Sequence, residues 1–186
     1  EIETYIFADD NIGHRIADAL AAAGSRGVEV RLLIDGYGGG EYARRLAHEL
    51  GVHGVQVRIY RPERWWRLQR KLLRRLHRKI AVFDERLAFI GGINVIDDHN
   101  VPAHARGRLG PRFDFAVVCE GPVVQEMTLA VRRLWWTLRF AGLRGRAGPL
   151  PRPRQLTSPP PLAGGVPASL LLRDNLRNRR AIERAY

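Results

Sequence analysis

Between Leu76 and Asn94 the chain reads LHRKIAVFDERLAFIGGIN, and this stretch concentrates the side chains able to do chemistry. His77, Lys79 and Asp84 stand in the spacing H-x-K-x4-D, and Gly91-Gly92-Ile93-Asn94 follows after six more residues. An imidazole can attack phosphorus, while an ammonium and an amide side chain hold the oxygens as charge builds on them. Residues 80–83 and 87–90 read as two short buried strands joined by a tight turn at 84–86. Alternate residues of a strand share a face, so His77 and Lys79 are expected to project into one pocket. Gly91 and Gly92 are expected to let bare backbone amides approach an anionic ligand. Such a set suits a phosphate ester.

Lysine usage sharpens the reading. The chain has two lysines, Lys71 and Lys79, and the other 29 of its 31 cations are arginine. A compact ammonium differs from a planar guanidinium fork, so a lysine at 79 in so arginine-rich a chain points to a need for that shape. Asp84 is open to two readings, because turn chemistry alone favours aspartate at a hairpin. His99 and His104 lie in a polar loop, 97–111, expected to overhang the pocket. No His/Cys/Asp set has zinc spacing, so neither a metal nor another cofactor is expected.

The spacing H-x-K-x4-D-x6-G-G-x-N resembles the signature of the phospholipase D superfamily. Its surroundings, RRLHRKIAVFDERLAFIGGIN, are similar to bacterial cardiolipin synthases of that superfamily. ETYIFADDNIG, LLIDG, RFDFAVVCEGP and LLRDNLRNRRAIERAY resemble the same enzymes, so the likeness spans most of the chain outside 146–167. It implies an α/β lobe with a mixed, mostly parallel sheet flanked by helices. It also implies that Asp114 accepts a hydrogen bond from the second nitrogen of His77, fixing the tautomer and stabilising imidazolium. Gly92 departs from the serine common elsewhere in the superfamily, as cardiolipin synthases often do.

The elements that must position these residues follow the α/β pattern. Strands are expected at 2–7, 28–34, 55–59, 113–120 and 169–172. A helix capped by Asp9 or Asp10 should run to Gly27, a second over 41–50, and a third from Gly121-Pro122 to about 140, with Trp135 in the core. Strand–helix–strand alternation argues for parallel pairing in the first half. Residues 35–40, DGYGGG, read as a mobile loop at the end of the second strand; they lack both G-x-G-x-x-G and the Walker pattern, and read as a flexible pocket rim.

The formal charge of +12 and pI near 11.1 call for an anionic partner. From Arg58 through Lys79 there are ten cations against one acid, Glu63. Trp65, Leu68, Leu72 and Leu76 form a helical stripe there, with Arg67, Arg70, Lys71 and Arg74 on other faces and Trp65-Trp66 at the tip. Such a basic, tryptophan-tipped helix fits an anionic membrane surface, each cation near the leaflet adding about 1 kcal/mol; nucleic acid is the less favoured partner. One cysteine excludes an internal disulfide, and no run of about 18 apolar residues exists.

From the resemblance, the expected activity is transphosphatidylation of phosphatidylglycerol to cardiolipin at the cytoplasmic membrane. Hydrolysis by the same histidine chemistry, as in a phospholipase D or nuclease, and a non-catalytic lipid-binding module are the alternatives. One H-x-K set supplies one histidine, whereas the family opposes two. The chain is therefore expected to be a first-motif lobe (1–140), a Pro/Gly/Arg-rich linker (141–167) and the start of a second lobe (168–186). The second motif would come from the same chain or a second subunit.

Overall fold

A computed structural model describes residues 1–62, 75–100, 110–141 and 164–172, with side chains up to Leu138 in the last helix. In chain order the elements are β1 (Ile2–Thr4), α1 (Asn11–Ser25), β2 (Arg31–Asp35), α2 (Tyr42–Val52), β3 (Gln56–Tyr60), β4 (Ile80–Phe83), β5 (Leu87–Gly91), β6 (Ala116–Glu120) and α3 (Val123–Ala141). The six strands form one sheet in the order β3-β2-β1-β4-β5-β6. β1 pairs in parallel with β2, and β2 with β3, while β4, β5 and β6 join antiparallel. The fold is α/β with a mixed sheet, and its parallel character is confined to the first three strands.

Alternation along β2 builds the layers. Leu32 and Ile34 pack with Ala17, Leu20, Leu46 and Leu50 of α1 and α2, whereas Leu33 packs with Leu76 and Trp135. Successive side chains of a strand point to opposite faces, so α1 and α2 cover one face and α3 the other. On the α3 side, Ile80, Val82 and Ala88 meet Val124, Met127 and Val131. Full burial of each Leu, Ile, Val or Met among these stabilises the fold by about 1.5–3 kcal/mol. At the start of α1, Asp10 is the cap: its Oδ1 accepts the Gly13 N–H at 2.9 Å. Asp9 instead pairs with His14 and Arg45.

The connections set where a site can form. The chain winds outward from β1 to β3 through α1 and α2, then returns to the other side of β1 as β4. The carboxyl end of β1 is thus a topological switch point, where open α/β sheets leave a crevice. Antiparallel pairing brings the start of β4, the end of β5 and the start of β6 to that same edge.

Three sequence expectations need correction. The last strand begins at Ala116 rather than 113, because the Asp114 carboxylate takes the Phe115 N–H at 2.8 Å. Residues 169–172 form no strand; Leu170 joins the core beside α3 through its side chain, and its N–H reaches Glu126 at 3.4 Å. β1 is short, with Phe7 adding only an isolated parallel bridge to Val95. The stripe at 63–74, loop residues 101–109, most of the linker and the closing helix lie outside the described residues.

Glu3 of β1 is 2% exposed and meets Arg78 at 2.9 and 3.0 Å. Burial outweighs the guanidinium and pushes the carboxyl up to about 7 from 4.5. The folded state holds this proton more tightly than the unfolded chain. Its contribution is therefore full below about pH 4.5 and lost as pH rises through 7. Glu3→Gln is expected to match the unaltered protein at pH 4 and to exceed it in stability at pH 8 by ~3 kcal/mol. Urea titrations at the two pH values check this, and equal differences at both would refute it.

Candidate active site

His77 and Lys79 stand just ahead of β4, at the edge where the switch point lies. His77 is exposed, and its ring lies 5.1 Å from the Tyr5 ring, centroid to centroid. Lys79 is 8% exposed; its Nζ sits 5.5 Å over the same Tyr5 ring and 3.4 Å from the His77 carbonyl. One aromatic floor at the end of β1 therefore brings the two together, as the two-residue spacing implied. Neither ring nitrogen of His77 has a hydrogen bond among the described residues, and no carboxylate among them lies within ion-pair distance of Lys79. Burial lowers the Lys79 pKa, and the Asp114 charge only partly offsets this. A nearly buried ammonium without an ion pair, beside an accessible imidazole, is arranged to receive an anion.

The glycines do something other than expected. The Gly91 N–H donates to the Lys79 carbonyl at 3.2 Å and the Gly92 N–H to the Phe115 carbonyl at 2.8 Å. Both amides are engaged in extending the sheet, so neither is open to a phosphate. What the missing side chains allow is close approach. A Cβ on Gly91 would stand 2.2 Å from the Phe115 carbonyl oxygen and 2.5 Å from Ala116 Cα, and one on Gly92 1.9 Å from Asp114 Oδ1. Gly92 is what lets the Asp114 carboxylate lie over the strand end.

Asp114 also departs from the expected geometry. It makes no hydrogen bond to His77; its Oδ1 accepts the Phe115 N–H, and its charge acts on Lys79. The short side chain settles on the nearest free amide and over Gly92. Gly92→Ala is expected to displace Asp114 and so lower the Lys79 pKa further. With only two lysines in the chain, NMR titration of labelled lysine reads this directly, and an unmoved Lys79 would contradict it.

Asn94 is half-buried. Its Oδ1 accepts the Ile6 N–H at 3.0 Å and its Nδ2 donates to the Gly92 carbonyl at 3.4 Å. The side chain thus ties the end of β1 to the turn after β5, and its second N–H remains available for an oxygen ligand. Asp84 is not brought to the site. It sits in the β4–β5 turn with φ 50°, next to Glu85 at 60°. The intervening strand puts it ~16 Å along the chain from Lys79. There it lines a cleft of about 430 Å³ at the opposite edge with Glu1, Glu85 and Arg132. The turn reading of Asp84 accounts for this placement, since aspartate tolerates left-handed backbone.

Tyr5 and Asp35 were not singled out from the sequence. Asp35 ends an apolar strand ahead of glycine, a weak signal that a buried acid is being used there. Trp65, Trp66, Arg67, Arg70, Lys71 and Arg74 lie outside the described residues. Among the described residues no group of three His, Cys, Asp or Glu side chains could hold a metal ion, and no helix is long and apolar enough to cross a membrane.

Residues 1–107 match the family described as "Cardiolipin synthase, PLD-like domain". The chain belongs to that family. Over 197 aligned residues covering all of this chain it is 33% identical to cardiolipin synthase B of Shigella flexneri and 32% identical to that of Escherichia coli K12. It covers 43% of each of those relatives. A cardiolipin synthase of Alkalihalophilus pseudofirmus is 35% identical over 98 residues, 53% of this chain and 20% of that protein. The family match ends at residue 107, so it includes His77, Lys79, Gly91, Gly92 and Asn94, whereas Asp114 lies beyond it.

Proposed function

We propose that this chain supplies the first-motif half of a phosphatidyltransferase of the cardiolipin synthase type, with His77 carrying either the phosphatidyl group or its proton. The observation that supports this most is the nearly buried Lys79 ammonium, without an ion pair, set on the same Tyr5 ring as an accessible imidazole. In the reaction one histidine attacks phosphorus of phosphatidylglycerol. The P–O bond to glycerol breaks, and the leaving oxygen takes a proton from the acid. The hydroxyl of a second phosphatidylglycerol then attacks the phosphatidyl-histidine and gives up its proton to the base. Cardiolipin leaves and the imidazole is restored.

Lys79 and the free N–H of Asn94 stabilise the non-bridging oxygens, and Asp114 balances the Lys79 charge. Two H-x-K histidines are needed and His77 is the one this sequence carries in that motif, so the second motif comes from another lobe of the same chain or from a second subunit. The surplus of twelve positive charges favours an anionic lipid surface, where the protein sits peripherally with the basic stretch 63–74 against the leaflet. Isolated from its second motif, the lobe is expected to be inactive.

The protein at its natural full length, incubated with labelled phosphatidylglycerol vesicles, tests this. Cardiolipin and free glycerol are the expected products. Phosphatidic acid would make it a hydrolase, and vesicle binding without turnover would make it a lipid-binding module.

A further inference from the structure

Asp35, at the carboxyl end of β2, is fully buried. Its Oδ2 accepts the Leu76 N–H at 2.7 Å, while Oδ1 accepts the Tyr37 N–H at 2.8 Å and the Gly38 N–H at 3.4 Å. Arg75 Nη1 stands 3.8 Å from Oδ1. A carboxylate is acceptor-only, with lone pairs enough for three amide donors, which no other side chain of this size supplies.

Both groups of donors lead to His77. Leu76 is the residue before it, and β4 does not begin until Ile80, so His77 stands outside the regular ladder. The Asp35–Leu76 bond, with the Leu76 side chain anchored beside Leu33 and Trp135, holds the backbone from which His77 projects. The second route runs through the glycine turn. Gly38 lies against Tyr5 so closely that a Cβ there would stand 2.1 Å from the Tyr5 carbonyl oxygen. The Tyr5 ring in turn is the floor under His77 and Lys79.

We infer that Asp35 is a positioning residue for the reaction: one buried carboxylate fixes both the backbone ahead of His77 and the turn that seats the Tyr5 ring beneath it. The inference rests on the phosphatidyl-transfer reading of His77. Asp35→Asn leaves the size unchanged but sets an NH2 or a single carbonyl against donors on two sides. Misplacing a reacting group by about 1 Å costs on the order of 100-fold.

The test compares Asp35→Asn with Leu46→Ala, a buried core truncation in α2, on the opposite face of the sheet. Both are assayed in the full-length protein at a temperature where each is folded. Asp35→Asn is expected to lose kcat on the order of 100-fold with KM nearly unchanged, whereas Leu46→Ala lowers Tm but keeps kcat. A kcat for Asp35→Asn as high as that of Leu46→Ala would overturn the inference. Hydrogen exchange gives a readout that needs no variant: in the unaltered protein the Leu76 amide is expected to be protected although it lies outside any strand. Exchange at the rate of an open loop would overturn the inference, even if Asp35→Asn fails to fold. Should the unaltered protein show no phosphatidyl transfer, the functional reading fails separately. Asp35 is then judged by that protection and by whether diethyl pyrocarbonate modifies His77 at an altered rate in Asp35→Asn.

Discussion

Lys79→Met is expected to give a protein that is more stable than the original and nearly inactive. Lys79 is 8% exposed, burial lowers its pKa, and Asp114 restores only part of the loss. A lysine with a lowered folded pKa penalises the fold while it is charged, and the penalty lifts as pH rises through that pKa. Methionine keeps most of the volume and removes the charge. At neutral pH the variant therefore gains ~1 kcal/mol, and the gain shrinks at alkaline pH. Activity moves the other way, because losing one donor to a developing phosphoryl charge costs on the order of 100- to 1,000-fold. Thermal melts at pH 7 and pH 10 beside turnover of labelled phosphatidylglycerol check both halves. A variant less stable than the original at pH 7, or fully active, contradicts the assignment.

His77→Ala is expected to remove turnover by about 10,000-fold or more, since a nucleophile or acid that acts with its partners is not replaced piecemeal. The side chain is exposed and, among the described residues, has one ring contact, to Tyr5. Truncation should thus alter stability by no more than about 0.5 kcal/mol. The pair of variants is diagnostic together: one is expected to leave stability alone and the other to raise it, while both cut transfer by about 100-fold or more. Retained turnover in His77→Ala would remove the catalytic assignment outright.

Much of the site was legible because short-range spacing carries it. The H-x-K step puts imidazole and ammonium on one ring, and β4 covers residues 80–83 as the apolar run implied. What could not be read depends on partners distant in sequence. The Gly91 and Gly92 amides look open in the local text, but their acceptors are the carbonyls of Lys79 and Phe115, the second more than twenty residues away. The glycines answer a crowding problem set by β6. Asp84 belongs to the written motif, yet a four-residue strand carries it to the opposite edge. Asp35 and Tyr5 were passed over because each matters through residues about 40 and 70 positions later, a relation visible only once the switch point is assembled.

The end of the sheet between β1 and β4 is expected to bind a phosphoryl group. The most direct measurement is a crystal structure of the full-length protein with vanadate, a mimic of phosphorus under attack. The oxyanion is expected within about 3 Å of a ring nitrogen of His77 and of Lys79 Nζ, over the Tyr5 ring. Vanadate bound elsewhere, with that end left to solvent and His77 turned away from Lys79, would rule out a phosphoryl site there.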